Sequence, residues 1–240
     1  MISILRNILA IVGIVFFLFF YSTLALIIVL FTWDGMKASD IVKPLMGKTI
    51  LWCCRLKLDI SGQENIPENQ PVIFIGNHQS ILDLFIYPSI LPQKVFVIGK
   101  KELLRYPFLG WIFYITGQIP VDRSNHIKAM RSMEKVYDKI NKHKYSVFFC
   151  PEGTRSTDGT LLLFKKGAFH LAIQTKLPIV PMIVFDAYKY LRKGSLKIIP
   201  GTLKVKILPP IQTSHWKKEE LKQRVEEVRN LFLKELTNVF

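Results

Sequence analysis

The stretch Pro71-Val-Ile-Phe-Ile-Gly-Asn-His-Gln-Ser-Ile-Leu-Asp83 decides the reading of this chain. Pro71 to Ile75 is short, β-branched and aromatic, and bounded by Pro and Gly, which predicts a buried strand. His78 then falls just past the strand's carboxyl end, where open α/β sheets place their ligands. Asp83 follows five residues later, an offset of roughly 500° in an undisturbed helix, so the two side chains would point to different faces. They meet only if His78 lies in the loop and Asp83 in the first turn of a helix beginning near Ser80, with Ser80 as its N-cap. In that arrangement Asp83 holds one ring nitrogen protonated and the other acts as a base.

Outward from this point strands and helices alternate, as an α/β fold requires. Strands are expected at Lys94 to Ile98, Ile119 to Val121, Tyr145 to Cys150 and Pro178 to Phe185. Thr202 to Leu208 alternates Leu203, Val205 and Ile207 with Lys204 and Lys206, as a half-exposed strand does. Phe108 to Thr116 reads as an apolar helix or a membrane-facing loop. Ile127 to Asn141 is expected to be a helix with Met130, Met133, Val136, Tyr137 and Ile140 on one stripe. Lys165 to Lys176 is expected to be helical, and Lys217 to Leu236 to close the chain as a charged amphipathic helix. The fold class is therefore α/β, a mixed and largely parallel sheet flanked by helices.

No charged residue occurs from Asn7 to Trp33, and Ile8 to Phe31 is almost wholly apolar, long enough to cross a bilayer or dip deeply into it. The run exceeds a signal peptide's apolar region and no small-x-small cleavage site follows it, so it is expected to persist in the mature protein. Arg6 precedes it while Lys37, Lys43 and Lys48 follow, so flanking charge does not set an orientation. Gly13 or Ser22-Thr23 offers a break into two shorter helices. The expected division is a membrane-anchoring segment over 1–55 and one catalytic domain over 56–240, since 240 residues at 50% hydrophobic hold one full core plus an accessory segment.

The formal charge is +15, and Arg6 is the one basic residue before Trp33. A field of this sign draws an anionic membrane surface or other acidic partners. Nucleic acid is disfavoured by the anchor and by the lack of any recognisable binding motif. Three cysteines, Cys53 and Cys54 adjacent, form no disulfide framework. A reducing compartment is the simpler reading.

Three further motifs follow His78-Gln-Ser-Ile-Leu-Asp83 in order: Gly117-Gln-Ile-Pro-Val-Asp-Arg123, Pro151-Glu-Gly-Thr-Arg-Ser156 and Pro178-Ile-Val-Pro-Met-Ile183. Together they resemble the four blocks of the glycerolipid acyltransferases with the H-x4-D motif, in particular the bacterial 1-acylglycerol-3-phosphate acyltransferases, over roughly residues 70 to 185. Cys150 stands where that family usually has Phe. The resemblance implies a general-base pair in His78 and Asp83, acceptor binding by Arg123, Glu152, Gly153, Thr154 and Arg155, a basic position at Lys100 and an acyl-chain or structural role for Pro181. It also implies a monotopic two-helix anchor, its second helix running through Trp33 to Arg55, at the cell inner membrane with the catalytic domain facing the cytoplasm.

Thioester acyl transfer needs a nucleophile, and the acceptor's own hydroxyl serves, with His78 removing its proton and Asp83 fixing the tautomer. Nothing beside Cys150 marks it as an activated thiolate, so a structural role is expected of it. A phosphate on the acceptor asks for Arg and free backbone N–H groups at a glycine loop, which Gly153-Thr154-Arg155 supplies and Arg123 would complete. Glu152 would bind the glycerol hydroxyl or pair with an arginine, and Lys100 would neutralise the oxyanion. The expected reaction takes an acyl chain from acyl-CoA or acyl-ACP to lysophosphatidate with no cofactor and no metal, there being no His-x3-His or Cys/His cluster. Glycerol 3-phosphate or another lysophospholipid are the rival acceptors, and a basic scaffold without catalysis is the rival class. The chain's membrane partners would be its lipids. Oligomeric state is not legible in it.

Overall fold

The protein is seen in a computed structural model that describes residues 2–68, 70–122 and 126–238. The elements run α1 (Ile2–Thr32), α2 (Gly35–Cys53), β1 (Leu56–Ser61), β2 (Ile73–Gly76), α3 (Asp83–Ile90), β3 (Val95–Lys100), α4 (Leu109–Ile115), β4 (Ile119–Val121) and α5 (His126–His143). They continue with β5 (Ser146–Phe149), α6 (Gly167–Thr175), β6 (Ile179–Val184), α7 (Ala187–Tyr190), β7 (Gly201–Ile207) and α8 (Leu221–Thr237). The expected strands and helices are all present, shifted by a few residues at their ends, and Phe108 to Thr116 resolves in favour of a helix. Met130, on the expected stripe of α5, has its side chain outside the described residues.

The N-terminal apolar segment departs from expectation in where it turns. Neither Gly13 nor Ser22-Thr23 breaks α1, because both hydroxyls donate back to the carbonyl of Phe19, Ser22 at 2.8 Å and Thr23 at 3.1 Å, so the helix absorbs its own polar groups. The chain turns instead at Trp33, which holds a φ of 55°, so the second helix starts after this residue rather than running through it. Asp34 caps α2 by accepting from Met36 N–H at 2.8 Å and Lys37 N–H at 3.1 Å. α1 and α2 fold back on each other: Tyr21 and Thr49 share a hydroxyl hydrogen bond of 2.8 Å, and a Cβ on Gly13 would lie 3.2 Å from Cys53 Sγ. The face of α1 carrying Ala10, Tyr21 and Ala25 is buried, while Leu9, Phe16, Phe20, Leu30 and Phe31 are exposed. By length and composition Ser3–Thr32 could cross a membrane. Arg6 also donates to the carbonyl of Ile198 at 3.1 Å, so α1 is fastened near its start as well as along α2.

α2 lies on α3 at close range, since a Cβ on Gly47 would come within 2.5 Å of the carbonyl oxygen of Phe85. Behind α3 the described strands form one seven-stranded sheet in the order β1-β7-β6-β2-β5-β3-β4. Every pairing is parallel except β6 with β7. β1 at the edge was not anticipated, although Leu-Lys-Leu-Asp-Ile-Ser alternates in burial as an edge strand should. β2 and β6 are buried at every position, which is what strands covered on both faces require. One core layer packs α1, α2 and α3 against the sheet, and the other packs α5, α6 and α8 against its far side.

Candidate active site

Parallel neighbours deliver their carboxyl ends to the same edge of a sheet, and here β2 has β5 on one side and β6 on the other. The loop after β2 is therefore flanked by the loops after β5 and β6. Three of its residues are pinned. The Asn77 side chain exchanges two hydrogen bonds of 2.8 Å with the backbone of Val184, at the end of β6. Gln79 accepts from Ala187 N–H at 3.0 Å and donates to the carbonyl of Gly159 at 3.1 Å. Ser80 donates to the carbonyl of Leu191 at 2.8 Å and accepts from Leu82 N–H at 3.3 Å, while the N-cap position of α3 falls at Leu82 rather than at Ser80 as expected. Tyr87 reaches back from α3 to give its O–H to the carbonyl of Asn77 at 2.6 Å. It fits because Gly76 has no Cβ, one there falling 2.4 Å from the ring.

Between those pins sits the pair. His78 Nδ1 lies 2.7 Å from Asp83 Oδ2, His78 in the loop and Asp83 the first residue of α3. The same oxygen accepts from the N–H groups of Gln79 (2.8 Å) and Ser80 (2.9 Å), while Oδ1 is buried without a hydrogen-bond partner. Asp83 is 2% exposed, so a carboxylate carrying three donors on one oxygen is shielded from water and fixed in direction. Its Oδ2 is placed to accept a hydrogen bond from Nδ1–H, the tautomer in which Nε2 carries the free lone pair. The His78 side chain is 17% exposed and lines an open cleft of about 480 Å³.

Glu152 is tied to the loop that carries the histidine. It is 3% exposed, and its two oxygens accept from His78 N–H at 2.7 Å and Leu162 N–H at 2.8 Å. Both oxygens accept from backbone donors, so the side chain braces the loop that carries the histidine, and Glu152 is not among the residues lining the cleft. Burial pushes its carboxyl up to about 7. A second stitch, Ser156 N–H to the carbonyl of His78 at 2.9 Å, joins the same two loops.

The cleft has two kinds of wall. Lys100, Arg155, Lys165 and Lys193 line it, each following the carboxyl end of a strand or closing one, and so each on the histidine's side of the sheet. Val42 and Met46 of α2 and Leu109, Ile112 and Phe113 of α4 supply its apolar side. Gly153 and Thr154 are in the lining with Arg155, and Gly153 adopts a φ of 74°, which brings its Cα against Lys165. Lys100 pairs with Glu102 at 3.5 Å on an exposed edge. Pro181 is buried in the middle of β6, opposite Ile75, and is not among the lining residues. Arg123 lies outside the described residues; the neighbouring Asp122 meets Lys101 at 3.6 Å.

Lys165 and Lys193 were not anticipated, since neither belongs to a motif and only the fold brings them to the cleft. The loop-pinning Asn77 and Gln79 were within the quoted stretch, but their partners are 80 to 108 residues away.

Comparison with known proteins gives a consistent result. The family described as Acyltransferase matches residues 57–185. A 1-acyl-sn-glycerol-3-phosphate acyltransferase of Cocos nucifera is 33% identical over 216 residues, covering 90% of this chain and 70% of the relative. The enzyme of that name from Saccharomyces cerevisiae is 37% identical over 186 residues, or 77% of this chain and 61% of its own. Among solved structures, the 1-acyl-sn-glycerophosphate (LPA) acyltransferase PlsC of Thermotoga maritima superposes with a TM-score of 0.80 at 26% identity, over 98% of this chain and 97% of that one.

Proposed function

The chain belongs to the 1-acyl-sn-glycerol-3-phosphate acyltransferase family, and from that premise we propose that it acylates the 2-hydroxyl of 1-acylglycerol 3-phosphate, using an acyl-CoA or acyl-ACP thioester and releasing phosphatidate. The observation that carries the mechanism is the 2.7 Å contact of His78 Nδ1 with a buried Asp83 at an open cleft. His78 Nε2 takes the hydroxyl proton as the acceptor oxygen bonds to the thioester carbonyl carbon. Asp83 stabilises the imidazolium, the division of labour of a catalytic triad with the substrate in place of serine. Collapse of the tetrahedral intermediate breaks the C–S bond, and the thiolate leaves with the proton from His78. No acyl-enzyme is formed.

The cationic lining supports an anionic acceptor. Arg155 with Gly153 and Thr154 would hold the phosphate, Arg123 would complete that site, and Lys100 would lower the energy of the developing oxyanion. The apolar side of the cleft suits an acyl chain. α1 and α2 would hold the domain against the cytoplasmic leaflet of the inner membrane as a re-entrant hairpin, a reading supported by the packing of α1 along α2 and by its exposed outer face.

The test is an assay of purified protein with a panel of acceptors, including lysophosphatidate, glycerol 3-phosphate and other lysophospholipids, against both thioesters. Turnover confined to lysophosphatidate is the expected result. Turnover on glycerol 3-phosphate alone would overturn the acceptor assignment.

A further inference from the structure

α4 presents two faces. Ile112 and Phe113 are buried, and with Leu109 they form part of the cleft wall. Trp111 and Tyr114, three residues apart and so on one side of the helix, are 52% and 76% exposed. Tyr106 joins the two surfaces, lining the cleft while 58% exposed, and Arg105 beside it is also exposed.

This exposed aromatic face is continuous with the outer face of α1. Phe108 packs edge-on against Phe19 of α1 at 5.5 Å between ring centroids, and against Trp111 at 5.2 Å. Phe108 reaches that place through a γ-turn, with φ 61°, ψ −57° and Leu109 N–H bonded to the carbonyl of Pro107 at 2.7 Å. Such a conformation is strained for a side chain of this size, and it persists where the surroundings fix it. Here the ring's two aromatic partners do so.

We propose that the segment Arg105–Ile115 is a second membrane-contact element, entering the headgroup and acyl boundary of the leaflet that holds α1. Tryptophan and tyrosine settle at that depth because their rings are apolar and their N–H or O–H still reaches water, and an adjacent arginine pairs with lipid phosphate. The other side of the same short helix is cleft wall. The mouth at Tyr106 would then open sideways into the leaflet, and a lysolipid would bring its headgroup to His78 without drawing its whole tail through water. The membrane contact stands independently of the reaction, while the sideways entry rests on the acyl-transfer reading.

Two measurements on the full chain test this. The first compares wild type with Trp111→Phe on vesicles of phosphatidylcholine and phosphatidylglycerol carrying brominated acyl chains. The fluorescence component lost in the variant is expected to be one that bromine quenches; an unquenched Trp111 component overturns the membrane contact. The second uses Trp111→Ala with Tyr114→Ala. The rate on long-chain lysophosphatidate in vesicles is expected to fall about tenfold or more, and that on a short-chain lysophosphatidate below its micelle concentration to change less than about twofold. Equal losses on both substrates, or none on either, overturn the sideways entry. A wild-type protein inactive on every lysolipid would count against the acyl-transfer reading, and the quenching result would stand apart from it.

Discussion

Glu152 is a carboxylate that the fold prefers to keep protonated. Burial raises its pKa from 4.5 to about 7, so its contribution to stability is fully present below about pH 4.5 and is lost as the pH rises through about 7. The unfolding midpoint of the wild type is therefore expected to fall between about pH 5 and 8 relative to that of Glu152→Gln, read by denaturant titration at each pH. A difference independent of pH would contradict that assignment. Gln also lacks the second acceptor, so one of the two backbone N–H groups that Glu152 serves loses its partner at a cost of about 1–3 kcal/mol. Arg155 makes a different kind of prediction. Its replacement by Ala should raise KM for lysophosphatidate about tenfold or more while leaving KM for the thioester nearly unchanged, with Lys restoring part of the loss because it lacks the bidentate fork. Equal effects on both substrates would argue for a structural role. Of these residues, His78 and Asp83 were legible because a buried strand followed by a turn places them without any long-range knowledge. The bracing role of Glu152 was not, as His78 N–H lies 74 residues away in the chain.

Close approach between elements rests on glycine at several points, and two of them hold α3 in place. Gly76 ends β2 beneath the ring of Tyr87, and Gly47 lets α2 settle on the backbone of α3. Gly76→Ala is expected to displace Tyr87 and break its hydrogen bond to the carbonyl of Asn77, destabilising the fold by about 1–3 kcal/mol and loosening the loop that carries His78. Unchanged stability by thermal unfolding would mean that Tyr87 can move aside freely. The central strands were readable from composition because burial on both faces demands unbroken apolar runs. The turn of the N-terminal hairpin was misplaced, since Ser22 and Thr23 resemble helix breakers only until their hydroxyls are seen to bond the preceding turn, while the turn signal lies in Asp34-Gly35, just after Trp33. β1 escaped notice because six alternating residues beside an apolar anchor give a weak signal.

The whole molecule is a basic α/β domain with an apolar hairpin laid along it. Nearly all of the +15 charge lies beyond Trp33, so the domain itself should be drawn to anionic lipid, and binding by protein lacking residues 1–33 should weaken as salt rises. Because α1 is fastened at Arg6 and along α2, a tag before Arg6 and a tag after Phe240 are expected to be accessible from the same side of the membrane. Opposite accessibility would mean that α1 spans. The reaction itself is tested most directly by His78→Ala in the full chain, reconstituted with lysophosphatidate and thioester in vesicles. Phosphatidate formation is expected to fall by a factor on the order of 10²–10⁴ or more, with vesicle binding and unfolding midpoint unchanged. A His78→Ala protein that turns over at a near-normal rate would contradict the account.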